Sequence, residues 1–150
     1  MSRRIDKLQP DVQKALNSAI VEMQSKGVNY FVNSTFRTID EQKAYYAQGR
    51  QLLGVTNALR ATVGFYFLSA KENEKIVTNC DGVIAKSQHQ SGRAVDIVPV
   101  DKKGNPYWPA TDSPLWKAIA DVMTIHGFDA GLYWKKFPDA PHYEMKEGKI

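Results

Sequence analysis

All three histidines in this 150-residue chain have a carboxylate within seven positions, and two of them, His89 and His142, stand in segments that invite a chemical reading. In SQHQSGRAVDIVPV, residues 87–100, His89 and Asp96 stand on either side of Gly92. In DAPHYE, residues 139–144, Asp139 and His142 share a short segment stiffened by Pro138 and Pro141. Read alone, the first pair fits either a hydrogen-bonded contact that pins a turn or half of a metal site. On an extended strand Ala94, Asp96 and Val98 share one face, and Val95 and Ile97 the other. A carboxylate among small apolar groups is costly unless it meets a partner or a metal. Two imidazoles and one carboxylate, with a fourth position left to water, form a recognised catalytic zinc set. A further carboxylate beside that water can act as general base. His89, Asp96, His142 and Asp139 supply these four groups. Glu144 competes for the role of base, because on a strand it shares a face with His142; the alternative is a carboxylate that supports a ligand from behind or lies on the surface. His126 precedes Gly127 at the end of a predicted helix, where a cation or a cap is favourable.

The elements that must position these residues are largely readable. Pro10 opens a helix that Gly27 ends, with Val12, Leu16, Ala19, Ile20 and Met23 on its apolar face. NYFVNSTFR, residues 29–37, is rich in aromatic and β-branched residues, which predicts a strand ending at Arg37. Thr38 to Glu41 has the form of a capping box and predicts a helix from Ile39 to Gln48. Residues 51–75 carry a weaker pattern, with a short helix expected over Asn57–Thr62 and an exposed connection at AKENEKI. Gly92 opens a strand over Arg93–Val98, and the turn-like KKGNP follows. Ser113 and Pro114 start a helix that Gly127 stops, with Leu115, Ile119, Val122 and Met123 as its buried stripe. Two short strands are expected at Leu132–Trp134 and His142–Met145. With no repeat, linker or low-complexity tract, the expectation is one α+β domain spanning residues 1–150.

Composition narrows the functional classes. A chain that is 43% hydrophobic and 24% charged has the balance of a globular protein. No apolar run reaches the roughly 18 residues of a membrane span, so no membrane insertion is expected. Arg3 and Arg4 resemble the basic start of a signal peptide, but Asp6, Lys7, Gln9, Asp11 and Lys14 interrupt any apolar stretch after them. Cys80 is the only cysteine, which excludes an internal disulfide and a thiolate zinc finger. The net charge of +4 suits nucleic acid, anionic lipid or an acidic wall polymer. No single element gathers the arginines that nucleic-acid binding would call for, so no nucleic-acid partner is expected.

The motif S-x-H-x-x-G-x-A-x-D is matched in full by Ser87, His89, Gly92, Ala94 and Asp96, and D-x-P-H follows at Asp139 to His142. Together they resemble the zinc peptidases of peptidoglycan, the D-alanyl-D-alanine carboxypeptidases and the L-alanyl-D-glutamate endopeptidases, including phage endolysins. STFRTIDEQKAYYAQGR is similar to the arginine segment of that family, with Arg37, Gln42, Tyr46 and Gln48-Gly49-Arg50. The resemblance implies a hedgehog-like, D,D-peptidase-like α+β fold with a small antiparallel sheet flanked by helices. It implies that His89, Asp96 and His142 bind Zn2+, that Asp139 is the base and that Arg37 polarises the scissile carbonyl. Ser87 and Gln42 are its candidate substrate-binding residues, although Ser87 can also simply hold its loop and Gln42 can orient Arg37. Zinc lowers the pKa of a bound water to about 7, and a fixed cation such as Arg37 stabilises an oxyanion.

Two departures from the family bear on substrate. Many relatives carry Gly-Gly after the tryptophan that corresponds to Trp134, whereas Lys135-Lys136-Phe137 stands here. The base position holds aspartate, where the carboxypeptidases usually have glutamate; this resembles the endopeptidase branch, as does the run from KIVTN to SQHQSGRAVDI. The expectation is a monomeric endopeptidase cutting the L-alanyl–D-glutamate bond of peptidoglycan stem peptides. Without a signal peptide it resembles an endolysin made in the host cytoplasm and released by a holin-type route. A D,D-carboxypeptidase is the alternative within the enzyme class. A non-catalytic peptidoglycan-binding domain of the same fold is the alternative outside it. Trp108, Trp116 and Trp134 read as core or rim packing.

Overall fold

The computed structural model describes residues 2–147, which by their internal packing form two compact units. Residues 2–36 and 91–147 make a sheet unit, and residues 37–90 a helical unit.

In the sheet unit, α1 (Pro10–Ser25) begins with proline at its first turn. The chain then forms β1 (Phe31–Ser34), β2 (Ala94–Val98), α4 (Pro114–Ile125), β3 (Asp129–Ala130) and β4 (His142–Glu144). The four strands build an antiparallel sheet in the order β1-β2-β4-β3. Val95 and Ile97 of β2 and Tyr143 of β4 pack with Val12, Leu16, Ala19 and Met23 of α1 and Ile119, Val122 and Met123 of α4. This core covers one face of the sheet and leaves the alternate residues Asp96, His142 and Glu144 on the other. Ser113 caps α4, its hydroxyl accepting from Leu115 N–H at 3.3 Å.

In the helical unit, the capping box forms as expected at the start of α2 (Ile39–Ala47). Thr38 Oγ1 accepts from Glu41 N–H at 3.1 Å, and Glu41 Oε1 accepts from Thr38 N–H at 3.0 Å. α3 (Leu53–Thr62) packs against α2 and begins four residues before the expected Asn57.

Three expectations need correction. Residues 132–134 are not a strand: Gly131–Tyr133 is a 3₁₀ turn, closed by Trp134 N–H on Gly131 O at 3.2 Å, and the strand precedes it at Asp129–Ala130. The strand expected over 29–37 pairs only from Phe31 to Ser34. Leu115 is 42% exposed, because the buried stripe of α4 runs through Trp116, Ile119, Ala120 and Met123.

Candidate metal centre and active site

Within the sheet unit, antiparallel pairing sets Asp96 of β2 directly opposite His142 of β4. His142 Nδ1 lies 3.5 Å from Asp96 Oδ1, and its Nε2 lies 2.8 Å from Glu144 Oε1. The two ring nitrogens therefore have different partners, with Nε2 held by a carboxylate and Nδ1 turned toward Asp96. A carboxylate on the far nitrogen fixes the tautomer and orientation of a metal-binding imidazole. Burial alone would lower the His142 pKa. The hydrogen bonds to Asp96 and Glu144 and the charges of Asp96 and Asp139 outweigh it and raise the value to about 9. A metal arriving at this ring must displace that proton.

Asp139 is exposed at the end of the preceding loop. Its amide donates to Gly131 O at 2.9 Å, and its carbonyl accepts from His142 N–H at 3.1 Å. Gly131 leaves no room for a side chain here, since a Cβ would overlap the Asp139 carbonyl. The Trp134 ring packs against the His142 ring with centroids 5.1 Å apart. Beside Trp134 and Glu144 a cleft of about 630 Å³ opens, lined also by Asp129, Tyr133 and Lys146.

Gly92 sits at φ 71, where a Cβ would lie 3.2 Å from Lys7 O; its own carbonyl accepts from Gln9 N–H at 2.9 Å. The glycine of the motif thus lets the chain enter β2 against the start of α1.

In the helical unit, Arg37 Nη1 donates to Gln42 Oε1 at 2.8 Å, and its guanidinium lies 4.6 Å from the centre of the Tyr45 ring. Gln42 is 0% exposed, and its amide nitrogen donates to Cys80 O at 2.7 Å and Thr78 Oγ1 at 3.1 Å. Each polar atom of Gln42 therefore has a protein partner, an arrangement that orients Arg37. The Arg37 amide donates to His89 O at 3.1 Å, tying the arginine to the histidine loop. Ser87 Oγ accepts from His89 N–H at 3.2 Å, so the serine holds this loop. His89 is 2% exposed.

Both donor types of a zinc site, imidazole nitrogen and carboxylate oxygen, are therefore present with their supports, and the residues fit a metal. Glu144, weighed from the sequence as a rival base or as a supporting or surface carboxylate, meets the His142 ring here. Its two-residue spacing from His142 on a strand was the signal for the contact now seen. Gly131 and the neighbour relation of Trp134 and His142 were missed, because both depend on the 3₁₀ turn. His126 caps α4 and lies 3.2 Å from Glu22 Oε1 on α1, a structural role.

Residues 82–145 match the family described as D-alanyl-D-alanine carboxypeptidase. The chain is 26% identical over 144 residues to the peptidoglycan L-alanyl-D-glutamate endopeptidase CwlK of Bacillus subtilis (strain 168), covering 92% of this chain and 73% of that protein. Its fold is similar to the crystal structure of the Serratia marcescens L-Ala D-Glu endopeptidase ChiX, with a TM-score of 0.56 at 16% identity, covering 95% of this chain and 83% of that one. It is similar too to the vancomycin resistance D,D-pentapeptidase VanY, solved as a mutant in complex with Zn(II). That TM-score is 0.54 at 17% identity, covering 92% of this chain and 72% of that one. The fold is thus the α+β fold of the D,D-peptidases and endopeptidases. The segment 82–145 matches a peptidase family, and the chain as a whole is similar in sequence or fold to peptidases of peptidoglycan.

Proposed function

We propose that the protein is a zinc endopeptidase that hydrolyses the L-alanyl–D-glutamate bond of peptidoglycan stem peptides, with residues 1–150 acting as one catalytic domain. The observation that carries this reading is the Asp96–His142–Glu144 array with Asp139 beside it, all inside the matched segment 82–145. His89, Asp96 and His142 are the residues that would hold the zinc ion. When bound, the ion supplies Lewis acidity toward water and the scissile carbonyl.

The chain's own residues do the rest. Asp139, at the solvent-exposed end of its loop, accepts a proton from the attacking water on a carboxylate oxygen and returns it to the leaving amine nitrogen. Arg37, braced by Gln42 and Tyr45, is in this reading the permanent cation that stabilises negative charge on the carbonyl oxygen. Glu144 holds the His142 ring at Nε2. The aromatic wall of Trp134 and the cleft beside it receive the peptide flanking the cut bond. Ser87 acts mainly as a loop anchor in this reading, and Gln42 acts through Arg37. The net charge of +4 favours an anionic wall. The same reading takes the protein as a monomeric endolysin that reaches the wall by a holin-type route and uses no nucleic-acid partner. Among the described residues, no helix is long and apolar enough to cross a membrane.

The second reading is a D,D-carboxypeptidase, which the description of the matched family favours. Incubating the purified protein with intact sacculi, with and without a zinc chelator, separates the two by mass spectrometry of the products. Chelator-sensitive release of peptides that begin with D-glutamate is the expected result. Loss of terminal D-alanine alone would replace the endopeptidase with the carboxypeptidase. No cleavage by the zinc-loaded protein would leave a binding domain and end the catalytic assignments.

A further inference from the structure

β1 does not meet β2 in a regular ladder. Phe31 pairs with Val98 and Val32 with Ile97, but the next pair is Ser34 with Asp96. Two residues of β1 therefore span one step of β2, which is a β-bulge at Asn33. Such bulges re-aim side chains and are frequent beside active sites. Regular pairing would have set the larger Asn33 opposite Asp96. The bulge sets Ser34 there instead, so that Ser34, Asp96 and His142 form one row across three strands.

Opposed residues of an antiparallel pair project from the same face, with Cβ atoms about 4.5–5.5 Å apart. Ser34 is 0% exposed, and its hydroxyl has no hydrogen-bond partner among the described residues. Water is thus denied to a donor whose hydrogen can rotate freely, and leaving it unsatisfied is unfavourable. Its cross-strand neighbour is a carboxylate with several acceptor sites, itself 3.5 Å from His142 Nδ1 on the opposite side.

We propose that Ser34 is a positioning residue for the metal centre. Rotation about its side chain lets the Ser34 hydroxyl donate to the Asp96 carboxylate, orienting the group that would hold the metal. The bulge exists to put a small donor at this point, and burial keeps that donor from exchanging its bond for water. Ser34 is too buried to touch substrate and acts only through Asp96. The inference rests on the reading of Asp96 as a metal ligand.

The test uses the 150-residue chain and zinc itself. Zinc affinity is measured by competition with a chromogenic chelator for the wild type, Ser34→Ala and Ser34→Cys. Cysteine keeps the shape of serine but is a weak donor, so it serves even if the alanine variant folds poorly. The visible spectrum of the cobalt-substituted protein reports the ligand field independently of activity, and melting of the metal-free forms reports any purely structural effect. The expected result is zinc binding weaker by about 10–100-fold in both variants. The cobalt bands shift, while the metal-free melting temperature is unchanged or raised. Zinc affinities within twofold of wild type, with an unmoved cobalt spectrum, overturn the positioning role while leaving the metal site intact. A wild-type chain that binds no zinc overturns the metal site and this inference together.

Discussion

Glu144 Oε1 lies 2.8 Å from His142 Nε2, whereas Asp139 is exposed on the loop that leads into the same strand. On the proposed mechanism that difference would divide the work between two carboxylates that the sequence left in competition. A carboxylate engaged with the far side of a metal-binding imidazole tunes the ligand, and one facing solvent can exchange a proton with a reacting water. Asp139→Asn should therefore retain stoichiometric zinc and lose turnover by about 10²–10⁴-fold. Glu144→Gln should instead weaken zinc by about 10–100-fold and regain much of its turnover at saturating zinc. Metal analysis of dialysed protein, paired with turnover across a zinc titration, reads both. Should Asp139→Asn cut normally, or Glu144→Gln hold zinc yet fail to turn over, the two roles are exchanged.

Among the elements, what the sequence made legible follows from how local the governing interactions are. The capping box of α2, the proline-led starts of α1 and α4 and the alternation of β2 are all set by near neighbours. His89, Asp96 and His142 could be proposed as ligands because motif spacing and donor chemistry are both written in the chain. The segment after α3 was not, since long-range side-chain bonds order it. Asn57 exchanges two hydrogen bonds with Leu68, Arg60 Nε donates to Tyr66 O, and Gln48 reaches Glu72 O. The bulge in β1 was equally hidden, because register is a property of two strands. The 3₁₀ turn at Gly131–Tyr133 was mistaken for a strand because Leu-Tyr-Trp has strand-like residues. Its geometry depends on Gly131, whose carbonyl accepts from both Trp134 and Asp139. Gly131→Ala should push the Asp139 loop away. A misplacement of about 1 Å at a reacting group costs on the order of 10²-fold in rate. The overpacking should also lower stability by about 1–3 kcal/mol. Turnover and thermal melting measure the two effects, and a variant with wild-type turnover would show that the loop tolerates the extra methyl without moving Asp139.

At the scale of the whole molecule, the strands that carry Asp96 and His142 must be tied to the rest of the sheet unit. Arg93, the residue just before β2, joins three distant parts of the sheet unit. Its Nη1 and Nη2 donate to Asp11 on α1 at 3.1 and 2.7 Å, and its Nε donates to Met145 O at the end of β4. The guanidinium is mostly buried while Asp11 is 41% exposed, so solvent screens part of the attraction. The hydrogen bond to Arg93 holds the Asp11 carboxyl below its ordinary value of 3.8, and the charge of Arg93 adds to this against a desolvation cost. A carboxylate with a lowered folded-state pKa stabilises the fold fully above its unfolded value, and the contribution is lost as pH falls through the folded one. Asp11→Asn should therefore cost about 1 kcal/mol near neutrality, where it leaves a mostly buried cation with only carbonyl partners. The gap to wild type should hold down to about pH 4 and close at lower pH, where wild-type Asp11 is itself protonated. Urea unfolding of both proteins from neutral to acid pH measures this, with the metal-free chain used throughout so that ligand protonation is common to both. A gap that stays constant into acid would mean that the Asp11–Arg93 contact stabilises by packing and not by charge.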